Sequence, residues 1–348
     1  MKHHQSSDTA GAGAAVVVPS STSKRRKKKA DTGISGANEE TTVTAVDRKN
    51  GAAEVKKNGL LSGAVSSMSI LRVSVIVIFT ISSLIFISNF YTQMKYRDLE
   101  SIARVGEFFR KKSFSVTCSK DYVDEASKFP GCVPKNCGRF VMDGLVTKEE
   151  IKRLANIAKK GLALGGSSGG ASIMDLHSGA LSKDDKFVDI YKLMKTKKNK
   201  PFNEDDLQLY KRIRSKIQFN IAEAFGIPHN KLYLTKPTFF SRMTTKSAKT
   251  IHDEYWHVHS DKETYGTFHY TSLLYLTDYD KDFTGGRFIF VDKSKNITIE
   301  PKKGRISFFT SGSENLHHVE KLESGTRYAI TVAFTCDSSK AIADPVMR

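Results

Sequence analysis

Apolar and polar positions alternate differently in successive parts of this chain. Residues 1–69 hold Ala, Gly, Ser, Thr and Lys with few large apolar residues, too little to offset chain entropy, and are expected to be a disordered tail. Residues 70–94 form the next part, and Val73 to Met94, containing "VSVIVIFTISSLIFISNFY", carries no charge and no polar face. That length predicts a transmembrane helix across about 30 Å of hydrocarbon. It lies too far from Met1 for an ordinary cleaved signal and reads as a retained signal-anchor. Within a stem and Cys-containing segment at 95–138, Leu99, Ile102, Ala103 and Phe109 fall near one helical face, so 95–112 is predicted to be a helical stem.

Two strongly patterned helices are predicted in 139–230. One opens with Thr147 and Glu150 in capping-box spacing and buries Ile151, Leu154, Ile157, Ala158 and Leu162. The other opens at Asn203, buries Leu207, Tyr210, Ile213, Ile217, Ile221 and Phe225, and stops at Gly226. Between them "GGSSGGAS" (165–172) reads as a flexible loop; phosphate binding is the weaker alternative, because no Lys-Ser/Thr follows. From 231 to 348 short runs rich in Val, Ile, Thr, Phe and Tyr recur: "LYLTKPTFFSRM", "EYWHVH", "FHYTSLLYL", "GGRFIFVD", "ITIEP", "GRISFFTS" and "TRYAITVAFTC". They predict an antiparallel sandwich or open barrel. Helices followed by strands give an α+β fold, with the helices buttressing one sheet.

Charge changes this picture less than its size suggests. The formal net charge is +18, but residues 1–72 carry 12 Lys/Arg against 6 Asp/Glu, and "KLMKTKKNK" at 192–200 reads as a solvated loop. No zinc-finger spacing or aromatic–glycine RNA-binding pattern is present, so nucleic acid is not expected as a partner. The basic tail favours a cytosolic N-terminus. Lys95, Arg97 and Arg104 after the apolar segment outnumber Arg72 before it, and pull the other way. Cys118, Cys132, Cys137 and Cys336 all follow the segment, as does the glycosylation pattern "NIT" at Asn296. Both favour a single-pass type II protein with a lumenal C-terminal portion, in the endoplasmic reticulum or Golgi. Two disulfides are expected, with three connectivities open. A structural zinc site on the cysteines is the rival, weakened by the lack of a second nearby pair.

The candidate chemistry lies in "HVHSD", residues 257–261. On a strand, His257, His259 and Asp261 would share a face. His317 and His318, just before the last predicted strand, are sources of a third ligand. Two His and one carboxylate on one side of an octahedron make the facial triad of non-haem Fe(II) oxygenases. Its three remaining positions suit a keto acid and dioxygen. A keto acid with a distant carboxylate needs a fixed cation, and Arg327 supplies one with bidentate geometry. Thr331, four residues on, would share its face.

"HSD" (259–261), "YTSLLYL", "GGRFIF", "PKKGRISFF", and His317 with Arg327 ten residues later resemble the prolyl-4-hydroxylase-type iron- and 2-oxoglutarate-dependent dioxygenases. This resemblance covers about 230–336. It implies a double-stranded β-helix (jelly-roll), Fe(II), 2-oxoglutarate and L-ascorbate, with hydroxylation of a second substrate such as a protein side chain. By position it makes His259, Asp261 and His317 the iron ligands, with His318 as competitor because some members space the basic residue nine away. It makes Arg327 the partner of the 2-oxoglutarate distal carboxylate. Tyr275 falls where some relatives place a tyrosine that helps hold that carboxylate; core packing is its plain alternative. The other candidates have plainer readings. His257 would shift the triad off the family pattern, His252-Asp253 lacks the partners of a phosphohydrolase dyad, His269 reads as a rim or packing residue, and Trp256 as packing. The rival function is a catalytically silent lumenal binding module on the same fold.

Overall fold

A computed structural model describes residues 62–96, 99–198, 200–250 and 253–348, with the backbone alone for 62–71 and 91–96. The tail expected over 1–69 lies outside the described residues up to 61, as does His252. Helix α1 spans Ser62–Tyr96, starting ahead of the expected boundary at 70. Its stretch Arg72–Phe90 is long and apolar enough to cross a membrane by length and composition.

The second unit, Lys95–Arg348, is a β-structure with helices on one side. Strands β1 (Leu99–Ala103), β2 (Lys112–Val116) and β3 (Cys137–Met142) precede helix α2 (Lys148–Leu162). Strands β4 (Gly166–Ser167), β5 (Ala171–Met174), β6 (Ala180–Asp184) and β7 (Lys186–Asp189) lead to helices α3 (Ile190–Lys195) and α4 (Glu204–Phe225). Then come β8 (Tyr233–Met243), helix α5 (Asp261–Tyr265), β9 (Tyr270–Tyr275), β10 (Phe283–Gly285), β11 (Phe288–Val291) and β12 (Asn296–Ile299). Strands β13 (Ile306–Thr310), β14 (His317–Val319), β15 (Leu322–Gly325) and β16 (Arg327–Thr335) complete the order.

A large sheet runs β2-β3-β13-β9-β16-β8-β5-β6-β4, with β7 beside β6; a smaller one runs β1-β12-β11-β14; β10 and β15 pair separately. The two faces of the large sheet have different work. Tyr270, Leu274, Ile330, Val332 and Phe334 turn outward onto α2 and α4. Leu273, Tyr275, Phe309 and Ala329 turn inward toward Phe288, Phe290 and Ile299 of the small sheet. Residues two apart on one strand share a face, so the alternation of these side chains builds a two-sided wall with an interior. That is the expected jelly-roll.

Both long helices form where capping predicts them. Thr147 and Glu150 make a reciprocal capping box, Asn203 and Asp206 another, and Gly226 ends α4 at φ 65°. Other expectations need correction. The stem is not helical after Tyr96: Leu99–Ala103 pairs parallel to β12. Its carbonyls, which a helix would use internally, go to tertiary partners instead. Arg305 donates to the oxygens of Ala103, Arg104 and Glu107. Residues 139–230, expected to hold two helices joined by a flexible loop, also contain β4 to β7. "EYWHVH" is not a strand: Tyr255 and Trp256 lie in a turn, and His259 makes a single isolated bridge. The segment 165–172 is not a free loop either. It carries β4 and the start of β5, and the Gly170 oxygen accepts from the Thr244 amide at 2.8 Å. A Cβ on Gly169 would collide with the Asp253 carboxylate, so glycine serves close approach there.

Two disulfides settle the pairing left open by the sequence: Cys118–Cys137 and Cys132–Cys336. No cysteine among the described residues is free, which removes the zinc alternative.

Candidate metal centre

Three donors meet between the two sheets. His259 forms an isolated antiparallel bridge with His317, each amide donating to the other's carbonyl at 3.0 and 2.9 Å. Asp261 opens α5, whose N-cap is Ser260. His317 opens β14. The expectation that His259 and Asp261 share a face of one strand is therefore replaced: one sits in a bridge, the other at a helix start. Their side chains converge nonetheless. Asp261 Oδ1 lies 3.7 Å from Nε2 of His259 and 3.7 Å from Nε2 of His317. The three donor atoms all lie within 4.8 Å of one another.

Hydrogen bonds prepare each donor. His317 Nδ1 lies 2.8 Å from the Asn315 oxygen, and His259 Nδ1 lies 3.1 Å from the His257 oxygen. A carbonyl only accepts, so in the neutral rings both Nδ1 atoms carry the proton and both Nε2 lone pairs face the centre. Burial pushes the His317 imidazole down to about 4, against a smaller opposing pull from Asp261, and keeps it in the neutral, ligating form. Thr271 Oγ1 donates to Asp261 Oδ2 at 2.6 Å, which leaves Oδ1 for a metal. Two neutral imidazoles and one carboxylate oxygen suit a divalent metal of the iron type, with coordination positions left over. Side-chain exposure is 25% for His259 but 7% for Asp261 and 6% for His317, so the centre opens toward the His259 side.

The neighbouring histidines stay out. His318 pairs in register with Ile289 and turns to the other face of β14, away from His317. His257 is exposed and its Nδ1 folds back to the Glu254 oxygen. His269 is buried, with Nε2 3.1 Å from Glu125 Oε2. Trp256 packs edge-on to Tyr255 at 5.0 Å, with Lys321 over its face.

A second polar element lies on the inner face of the large sheet. Arg327 is 1% exposed, yet its Nε and Nη2 have no hydrogen-bond acceptor among the described residues. Its Nη1 donates to the Met243 sulfur at 3.5 Å. The guanidinium lies 5.4 Å from the centre of the Tyr275 ring. Burial lowers its pKa, against smaller opposing pulls from Tyr275 and Tyr255. Tyr275 is fully buried and its hydroxyl pairs with Ser307 Oγ at 3.0 Å. The register places Ala329 opposite Tyr275 and Thr331 opposite Leu273, so Arg327 and Thr331 share the inner face. Thr271, which holds Asp261, lies four residues from Tyr275 on the same face of β9; one wall thus runs from the metal donors to the guanidinium. A buried cation with idle N–H groups is costly in a folded protein, and it marks a position for an anionic ligand.

Sequence reasoning missed Thr271, Asn315 and Arg139. Arg139 Nε donates to Asn315 Oδ1 at 2.6 Å, across a separation of 176 residues that no local pattern reveals.

Comparison with known proteins gives a consistent result. The model of the 2OG-Fe(II) oxygenase superfamily matches residues 239–335. The chain is 58% identical over 248 residues to the Mus musculus "2-oxoglutarate and iron-dependent oxygenase domain-containing protein 3", covering 71% of this chain and 78% of that protein. The Homo sapiens protein of that name is 56% identical over 246 residues, covering 71% and 77%. A shorter match, 44% over 71 residues, links the chain to Homo sapiens "Prolyl 3-hydroxylase 2", covering 20% of this chain and 10% of that protein.

Proposed function

Because the chain belongs to the 2OG-Fe(II) oxygenase superfamily, and is thereby a 2-oxoglutarate-dependent dioxygenase, we propose that it hydroxylates a protein side chain on the lumenal side of a membrane. His259, Asp261 and His317 hold Fe(II). Arg327 takes the distal carboxylate of 2-oxoglutarate. Bound iron would supply the redox chemistry in which dioxygen gives one oxygen atom to succinate and the other to the substrate, with carbon dioxide released from the keto acid. The chain's own residues bind, orient and exclude water.

Asp261 Oδ1 and the two Nε2 atoms would hold the metal, a three-donor set that leaves coordination positions for the cosubstrates. Arg327 gives its idle Nε and Nη2 to a carboxylate as a bidentate pair, strengthened by the dry surroundings. Tyr275 backs that pair through its ring, and Thr331 adds a hydroxyl on the same face. Leu273, Phe288, Phe290 and Phe309 line the interior and keep bulk water away. The exposed edge of His259 is where the second substrate approaches. The observation that carries this reading is the buried guanidinium with two unused donors, on the wall that also positions the metal ligands.

A prolyl residue is the first candidate substrate, supported by the name of the relative matched over 71 residues. L-ascorbate would serve as the accompanying reductant. The membrane setting is supported by the apolar stretch Arg72–Phe90 and by two disulfides after it. We propose with it a type II orientation in the endoplasmic reticulum or Golgi and Asn296 as glycan acceptor. Asn296 begins β12 and is half-buried, with the Thr298 hydroxyl already bonded to the Glu100 oxygen. A glycosidase-sensitive mass shift lost in Asn296→Gln is the expected result; cleavage of the C-terminal portion by cytosol-side protease contradicts the orientation.

Turnover has its own test. The full chain in detergent, with Fe(II) and ascorbate, is expected to convert 2-oxoglutarate to succinate slowly without substrate. Candidate prolyl peptides should accelerate it. An intact metal site with no turnover across such peptides favours a silent binding module instead.

A further inference from the structure

We propose that Arg139 and Asn315 form a positioning clamp for His317, selecting the imidazole tautomer that binds the metal. The inference rests on the reading of His317 as a ligand and adds residues to it. Arg139 is 2% exposed on β3, opposite Phe309 of β13. Its Nη1 and Nη2 chelate the Asp292 carboxylate at 2.8 and 2.6 Å, Nη2 also reaches the Glu314 oxygen at 3.3 Å, and Nε donates to Asn315 Oδ1 at 2.6 Å. Its flat face lies 4.1 Å from the centre of the Phe290 ring.

Asn315 is fully buried, and its side-chain amide is held from both ends. Oδ1 takes the Arg139 proton, while Nδ2 donates to the Thr310 carbonyl and hydroxyl at 2.8 and 3.0 Å. This orientation is forced, because a guanidinium only donates and a carbonyl only accepts. Fixing that amide fixes the peptide beside it, whose carbonyl accepts from His317 Nδ1. The short 3-10 turn Ser313–Asn315 is held at its start by Asp121, which accepts from the Ser313 amide and hydroxyl, and the Asn315 side-chain amide adds the restraint nearest the carbonyl itself.

Arg139 and Asp292 neutralise each other, so the clamp acts through geometry and adds little net charge near the metal. His259 offers the contrast: its Nδ1 acceptor belongs to exposed His257 and lies at a longer 3.1 Å. The metal site thus has a rigid half, His317 and Asp261, and a looser third ligand.

The test uses the full chain in detergent micelles with two readouts. The first is 15N NMR of selectively labelled histidine in the metal-free protein. The second is Co(II) binding followed by visible absorption. Wild type is expected to show His317 wholly as the Nδ1–H tautomer. Asn315→Ala should show a mixed population and bind Co(II) about 10- to 100-fold more weakly, the usual effect of losing a group behind a ligand. Asp292 is 33% exposed in its side chain, so Asp292→Asn tests the clamp with less risk to folding and should give a smaller loss of the same kind. If Asn315→Ala does not fold, Asp292→Asn decides alone. Arg139→Lys cannot span both partners and should not restore wild-type binding. An unmixed Nδ1–H tautomer with Co(II) affinity within about twofold of wild type in the folded variants overturns the clamp. Failure of wild type to bind Co(II) at all instead overturns the ligand assignment, and the tautomer readout still judges the clamp.

Discussion

Two arginines are equally buried in this protein, and they could hardly be more differently placed. Arg305 is 0% exposed and has an acceptor in every direction. The Asp143 carboxylate takes its Nε and Nη2, and the oxygens of Ala103, Arg104, Glu300 and Glu107 take the rest. Arg327, 1% exposed, has two nitrogens with no acceptor among the described residues. Removal of a charge from water is repaid in the first case by the protein itself; in the second, on the function proposed above, a ligand's carboxylate repays it. A buried cation therefore reports structure when its donors are used and function when they are idle.

The largest expected effects come from deleting each in turn. Arg305→Ala takes from the buried Asp143 carboxylate its charged partner, leaving it the Phe109 amide, removes one donor from each of four carbonyls, and should lower the unfolding free energy by about 3–5 kcal/mol, seen in denaturant titration. Arg327→Ala removes an unpaired charge, so stability should stay level or rise. Its loss should appear in the KM for 2-oxoglutarate, on the order of 100-fold or more for two charged hydrogen bonds. Equal destabilisation of the two variants breaks the comparison.

Adding the missing anion sharpens it. With the metal loaded, 2-oxoglutarate at about 100 times its Kd should stabilise wild type by about 2.7 kcal/mol in thermal unfolding and leave Arg327→Ala unchanged. Tyr275→Phe, which removes the hydroxyl bonded to Ser307 while keeping the ring beside Arg327, should cost only about 1 kcal/mol.

The smallest effect concerns a carboxylate whose partners are in place. The hydrogen bond from His269, then that from Lys262, lower Glu125 to about 2. A depressed carboxylate contributes stability above its unfolded value near 4.5 that fades as pH falls toward 2. Wild type should lose stability more steeply than Glu125→Gln over that window in a pH series of melts.

The site was more legible than its supports. Ligand types and order in "HSD" and His317 located three converging donors, although the strand drawn through His259 and Asp261 is in fact a bridge followed by a helix start. Capping residues at Thr147 and Asn203 made the helices plain, because a cap is a local interaction. Nonlocal interactions left no such trace. Arg305 sits in "PKKGRISFF" as one more basic residue, while its partner Asp143 lies 162 residues earlier. The stem pattern Leu99, Ile102, Ala103 suits a helix locally, but pairing with β12, almost 200 residues away, decides for a strand. Cysteine pairing likewise depends on the assembled fold, which joins Cys132 to Cys336 across 204 residues.

The most direct measurement compares two keto acids on the metal-loaded full chain. 2-Oxobutanoate keeps the chelating end of 2-oxoglutarate and lacks its distal carboxylate. Calorimetric titration should show wild type preferring the diacid by on the order of 100-fold or more, and Arg327→Ala binding both alike. Undiminished preference for the diacid in Arg327→Ala would contradict the account.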